Sequence, residues 1–332
     1  MKRIFSLFLG LSLFTSVNAQ ESPLETARGF MNSGDWDNAI LVLNSAIRQN
    51  PDNLELHKYL VLSYTYKRDF AKALEVVKPV LDRDDLDVQM YQAAGNVYRA
   101  LALSKDGEKM YKKALKKFPN SGPLYSEYGD LLWDKQDYEA IELWEKGIEV
   151  DPSYAGNYYN AAVYYYFTKD KVWPLIYGEI FVNMENLTER STEIKRILLS
   201  TYKEKLFSDL ADKNDKKQNE FSKAVLNTYD KQISLVTRGI SIETLNMIRT
   251  RFILDWYANY AGKFPFRLFD YHQQLIKDGM FEAYNQWLFG PVENLSAFDQ
   301  WTRSNAETYT KFTNFQKGRI FKMPAGQYYK GK

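Results

Sequence analysis

The 332-residue chain contains no cysteine. That excludes a disulfide framework and a lipid anchor on a cysteine, so stability has to come from an ordinary core. With 45% apolar residues, a chain of this length can bury one. Histidine is nearly absent as well. His57 and His272 are the only two, which excludes a histidine-rich zinc site. Both read as structural or surface residues. Gly-x-Ser-x-Gly, phosphate-loop and dinucleotide patterns are missing. The paired carboxylates Asp84-Asp85 read as a solvated turn, although a glycosidase needs only two carboxyl groups. No enzyme, catalytic residue, metal or cofactor is expected.

Long apolar runs are absent after the first nineteen residues. Lys2 and Arg3 precede the apolar stretch Ile4 to Phe14, and Val17-Asn18-Ala19 offers small residues for cleavage. This reads as a signal peptide over 1–19, with the mature chain starting near Gln20. The longest later candidate, Ile240 to Tyr260, is interrupted by Glu243, Arg249, Arg251 and Asp255. No transmembrane segment is therefore expected in the mature chain, and any envelope association would run through a partner.

An excess of either charge is also lacking. Without Lys2 and Arg3 the 44 basic residues become 42, equal to the 42 acidic ones. No dominant basic face is left for nucleic acid. The one local excess is terminal: from Trp301 to Lys332 there are seven basic residues and only Glu307. This basic tail reads as a segment for partner docking or for the envelope surface, or more plainly as a solvated terminus.

What the chain does have is a 34-residue period. Small or slim residues recur at Ala27, Val61, Gly95 and Gly129, followed three positions later by Phe30, Tyr64, Tyr98 and Leu132. Ala39, Ala73, Gly107 and Ala140 form a second register, trailed by Leu43, Val77, Tyr111 and Trp144. Small residues let neighbouring helices approach, and the large one fills the space alongside. Gly34-Asp35, Arg68-Asp69 and Gln136-Asp137 fall where a turn is needed within a pair. Asn50-Pro51-Asp52 and Asp151-Pro152-Ser153 separate successive pairs, since proline stops one helix and suits the first turn of the next.

These columns resemble the tetratricopeptide repeat (TPR) family. Tyr138 to Pro152 is similar to that family's second helix, and Gly95-Asn96-Val97-Tyr98 and Gly129-Asp130-Leu131-Leu132 to its first. The resemblance covers residues 20 to about 186 as four pairs plus a divergent fifth, in which Pro174 replaces a small residue. It implies an all-α, tetratricopeptide-type α-solenoid. It also implies a protein or peptide partner in a concave groove lined by first helices. The groove candidates are Lys58, Tyr66, Gln92, Asn96, Arg99, Asp130, Trp133, Tyr159 and Tyr166.

From about Asn186 the period is lost, but helical patterns continue through 187–332. Ser241 is placed to cap a helix running to about Tyr260. Further helices fit 267–277, 280–289 and 295–316, and the polar stretch 209–220 reads as a linker. Between Phe252 and Tyr329 there are 20 Phe, Trp or Tyr in 78 positions. They read as a ring-rich core or, alternatively, as an exposed aromatic groove for glycan. The functional expectation is an exported, non-enzymatic adaptor or scaffold in the periplasm or cell envelope of a Gram-negative bacterium. The alternative is a glycan- or cell-wall-binding protein using the aromatic C-terminal half.

Overall fold

The computed structural model describes residues 22–208, 218–237 and 239–331, and the regular elements among them are all helices. The expected signal peptide over 1–19 and most of the polar 209–220 stretch lie outside the described residues. The described residues form two compact units, divided between Asp85 and Leu86.

In the first unit, α1 (Pro23–Asn32), α2 (Trp36–Gln49), α3 (Leu54–Tyr66) and α4 (Phe70–Val80) make two helix pairs. Each start is fixed by a side-chain acceptor. Ser22, Asp35, Asn53 and Asp69 accept from the backbone N–H of Glu25, Asn38, Leu56 and Lys72. Such a cap is worth about 1 kcal/mol. The small-residue registers face inward: Ala27, Ala39, Val61 and Ala73 are completely buried.

The second unit continues with α5 (Val88–Ala100), α6 (Ser104–Lys117), α7 (Gly122–Trp133), α8 (Ala140–Val150), α9 (Ala155–Tyr166) and α10 (Trp173–Met184). Here the period is physical contact. A Cβ on Gly95 would lie 1.8 Å from the Tyr111 hydroxyl, and one on Gly129 would lie 2.3 Å from Trp144 Nε1. In these two pairs, α5/α6 and α7/α8, the second helix therefore presses a ring onto bare backbone of the first.

The turn inside each of the first four pairs is the same device. Gly34, Arg68, Ala102 and Gln136, spaced 34 residues apart, all have positive φ, from 54° to 76°. The amides of Asp35, Asp69, Leu103 and Asp137 donate to the carbonyls of Phe30, Tyr64, Tyr98 and Leu132, the long bond of a Schellman motif. The fifth pair shows no positive φ at the corresponding Asp170, whose carboxylate instead accepts from the amides of Val172 and Trp173. Left-handed backbone costs a non-glycine residue about 1–2 kcal/mol. Glycine returns part of that gain as unfolded-state entropy. Ala102→Gly, at an exposed position, is expected to stabilise the protein by roughly 0.5–1 kcal/mol in urea titration.

The remaining helices are α11 (Glu189–Ser200), α12 (Glu220–Asp230), α13 (Ile242–Asn259), α14 (Arg267–Lys277), α15 (Phe281–Glu293), α16 (Leu295–Ser304) and α17 (Ala306–Lys317). Ser241 does cap α13, accepting from the amide of Thr244. Two boundaries differ from expectation. The helix expected to stop at Gly290-Pro291 runs on to Glu293, because proline in a last turn forfeits little of the hydrogen-bond ladder. The helix expected over 295–316 is two, broken at Asn305, where ψ rises to 36°. Gly290 lets α16 fold back, since a Cβ there would meet Phe298 at 2.5 Å.

Residues 187–332 share a core with the last repeat pairs. Phe221 of α12 packs its ring against Trp173 of α10 and against Trp256, Phe266 and Phe269. Of the twenty C-terminal rings, twelve are buried and the other eight half-buried. An exposed aromatic groove is therefore not formed, because the rings fill the spaces among α12 to α17. The tail is a correction too. After α17 it returns to the core, burying Phe321, Met323 and Tyr329. Tyr329 stacks on Phe221 at 4.8 Å and donates its hydroxyl to the Pro265 carbonyl. Apolar anchoring at three positions outweighs the tail's solvated charges.

Candidate partner-binding face

First helices of adjacent pairs lie side by side in the second unit, and their facing side chains are bonded at the repeat period. Gln92 Nε2 donates to Glu127 Oε1 at 2.7 Å, and Arg99 Nε donates to Asp134 Oδ2 at 2.8 Å, each pair 35 residues apart. Asn160 Nδ2 donates to Asp130 Oδ1 at 2.7 Å and to Ser126 Oγ at 3.2 Å. Tyr159 donates its hydroxyl to Glu193 at 2.7 Å, and the Tyr166 hydroxyl pairs with Ser200 at 3.0 Å, each spanning 34 residues. This polar ladder links α5, α7, α9 and α11 in order. It carries the first-helix layer to Ser200, past the point near Asn186 where the sequence columns stop.

A short π-helical turn, Thr201–Lys205, extends α11. It brings Lys205 over the Tyr166 ring at 3.9 Å, with its ammonium donating to the Tyr166 carbonyl. At the other edge of α11, the Arg190 guanidinium lies 5.1 Å from the Tyr159 ring. Cation–ring contacts of this kind hold both aromatics in fixed orientations.

The structure sorts the sequence-predicted residues. Gln92, Arg99, Asp130, Tyr159 and Tyr166 all join the ladder, half-buried. Asn96, on the same face of α5, is exposed. Trp133 turns instead into the seam of α7, α8 and α9, packing on Tyr138, Trp144 and Tyr164. In the first unit Tyr66 is exposed and stacks on Trp36 at 5.1 Å. Lys58 does not face solvent: it is buried and ion-paired with Glu55 at 2.7 Å, one helical turn away. Glu127, Asn160, Arg190, Glu193 and Ser200 were missed. For all of these but Arg190 the signal was the recurrence of complementary polar residues 34 or 35 positions apart.

Electrostatically, the ladder is a partly dried polar strip. Burial pushes the Asp130 carboxyl up to about 6, with the Arg99 charge and the bond from Asn160 opposing that rise. Burial also raises Glu127, against bonds from Gln92 and Tyr111. A raised acid favours the folded state most while protonated, so Asp130 contributes stability below pH 3.8 that is lost as pH rises through about 6. Carbon-13 NMR of the carboxyl groups should show Asp130 titrating near 6. In Arg99→Ala, where the nearest cation is gone, the midpoint should move higher still.

Behind this face, where α10 meets the C-terminal helices, sits a buried charge cluster absent from the sequence reading. Arg249 of α13 is ion-paired with Glu179 of α10 and donates to Asn285 of α15. Glu179 Oε1 also pairs with His272 Nε2 at 2.9 Å and accepts from the Tyr284 hydroxyl at 2.8 Å. Asn183 Nδ2 in turn donates to Tyr284 at 2.8 Å. Burial alone would raise Glu179, but Arg249, His272 and Tyr284 together hold it down to about 2. Burial lowers His272, partly countered by Glu179. The cluster reads as a structural tie: all three charge-bearing groups are nearly inaccessible. No group of three His, Asp or Glu arranged to hold a metal occurs among the described residues.

Among solved structures, similar helical arrays occur in tetratricopeptide proteins. TTC0263 from Thermus thermophilus is 16% identical with a TM-score of 0.45, covering 53% of this chain and 97% of that one. A tetratricopeptide repeat protein from Parabacteroides merdae is 15% identical with a TM-score of 0.43, covering 71% and 90%. YrrB, described as a TPR protein with an unusual peptide-binding site, is 16% identical with a TM-score of 0.39, covering 52% and 90%. The repeats are of tetratricopeptide type. Nested 34-residue pairs, four identical turns and the ladder across first helices define them. No protein-family model and no curated protein matches the chain.

Proposed function

We propose that the chain is a non-enzymatic adaptor whose first-helix face on α5, α7, α9 and α11 holds an extended segment of a protein partner. The ladder carries this reading. It presents amides, carboxylates, arginines and tyrosine hydroxyls in one strip, anchored to each other so that little side-chain entropy is lost on binding. Exposed Asn96 supplies an amide for a partner's backbone, and half-buried Tyr159 and Tyr166 supply ring surface. Half-buried polar groups already fixed by neighbours suit a ligand that reads backbone and mixed side chains rather than a single charge.

The same reading includes export. Lys2, Arg3, the Ile4 to Phe14 run and Val17-Asn18-Ala19 support removal of residues 1–19 and action in the periplasm or envelope of a Gram-negative bacterium. No described helix is long and apolar enough to cross a membrane, which fits association through a partner. The glycan alternative loses its main support, since the C-terminal rings are spent in the core.

Photo-crosslinking in cells tests the proposal. A photoreactive residue replacing Asn96 should give one dominant protein adduct. The same residue replacing Lys113, exposed on the second helix α6, should give none. Equal adducts from both positions, or adducts from Lys113 alone, would reject the first-helix face.

A further inference from the structure

A cleft of about 320 Å³ opens in the second unit between the end of α10, the start of α14 and the segment after α17. Its wall holds two guanidinium groups, Arg267 and Arg319, and the amides of Asn183, Asn186 and Gln316. None of its lining residues is acidic. Elsewhere in this unit, three arginines are matched: Arg99 with Asp130 and Asp134, Arg190 with Glu185, Arg249 with Glu179. Arg267 and Arg319 make no ion pair among the described residues, yet they line the same space.

Both are held in place without being neutralised. The Arg267 guanidinium lies over the Phe321 ring at 5.4 Å. That of Arg319 lies over Phe315 at 4.1 Å and donates to Gln274 Oε1 at 3.0 Å. Ring faces restrain the planar fork while leaving its charge uncompensated. The wall is rigid at its base as well. Tyr271, buried there, packs edge-on to Tyr284, and Asn183 donates to the Tyr284 hydroxyl, tying the cleft to the buried Glu179 cluster.

Two uncompensated forks are donors for an oxyanion, and the Asn186 and Gln316 side chains in the same wall can meet hydroxyls beside it, whereas Asn183 Nδ2 is already engaged by the Glu179 carbonyl and the Tyr284 hydroxyl. The volume lies at the lower end of small-ligand sites. We infer that this cleft binds a small anionic ligand of monosaccharide size, held through its carboxylate or phosphate by Arg267 and Arg319. The site is separate from the first-helix face, so either can fail without the other.

Calorimetric titration of the mature chain with glucuronate, glucose 1-phosphate and glucose decides it. Saturable binding of at least one anion is expected, with glucose at least tenfold weaker. Which anion binds distinguishes a carboxylate from a phosphate ligand. Arg319→Gln and Arg267→Gln should each lower affinity at least tenfold while leaving the melting temperature within a degree or two. Arg319 is exposed, so its variant keeps the test valid if Arg267→Gln proves unstable. No saturable binding of either anion, equal binding of glucose, or unchanged affinity in Arg319→Gln overturns the inference.

Discussion

Glu179→Ala should cost about 3–5 kcal/mol of folding stability, because removing one partner of a buried ion pair leaves the other charge uncompensated. Arg249, exposed by only 2%, would lose its carboxylate, and His272 and the Tyr284 hydroxyl would lose the acceptor they share. Glu179→Gln keeps an oxygen in place for Tyr284 and Arg249 but removes the charge, so a smaller loss is expected. The pH dependence has a definite sign. Glu179 has a folded value near 2 against 4.5 when unfolded, so its contribution is full above 4.5 and disappears as pH falls toward 2. His272, held neutral by burial, adds a further loss as pH falls below 6.5, where only the unfolded chain protonates it readily. Acid titration of wild type and variant by circular dichroism checks both. Between 6.5 and 4.5 the loss at His272 is opposed by the gain at Asp130, so the wild type should lose stability most clearly below 4.5, and the Ala variant should show a flatter course between 4.5 and 2.

Gly129→Ala is expected to destabilise, whereas Gly29→Ala stabilises, although both are single methyl additions to helices. At Gly129 the new methyl would meet three atoms of the Trp144 ring, at 2.3, 2.6 and 2.8 Å. That ring cannot swing away cheaply: its Nε1–H donates to the Ser126 carbonyl at 3.1 Å, and its faces touch Trp133 and Tyr164. Overpacking at the upper end of its range costs about 3 kcal/mol. Helix propensity returns about 1 kcal/mol, for a net loss of roughly 2 kcal/mol. At Gly29 nothing lies within 4 Å, so only the propensity gain of about 1 kcal/mol remains. Urea unfolding of the two variants should bracket the wild type. A neutral Gly129→Ala would mean the helices are not nested as described.

The repeat part was legible in the sequence because its packing is written in residue size at a fixed spacing. Ala27, Ala39, Ala73, Gly95 and Gly129 recur where backbones touch, and each is buried. The turns were partly hidden. Ala102 occupies the left-handed position that Gly34 announces openly, and an alanine gives no such signal. Lys58 misled because its spacing places it on the right helix, while its ammonium bends back to Glu55. Trp133 misled in the opposite way: a large ring at the end of α7 found neighbours on α8, on α9 and in the turn before α8. The C-terminal half follows no repeat, so long-range partners there could not be paired from spacing. Arg249 shows the difficulty. It lies on the apolar face of Leu245, Phe252 and Trp256, a position that announces burial but not the carboxylate 70 residues earlier that makes burial tolerable.

The exposed amide of Asn96 and the ladder from Gln92 to Ser200 define one continuous strip. Amide hydrogen exchange of the mature chain, with and without the partner captured through position 96, tests that strip most directly. Slowed exchange should appear together in 88–100, 122–133, 155–166 and 189–200. A footprint confined to α14 to α17, or protection missing from all four first helices, would contradict it.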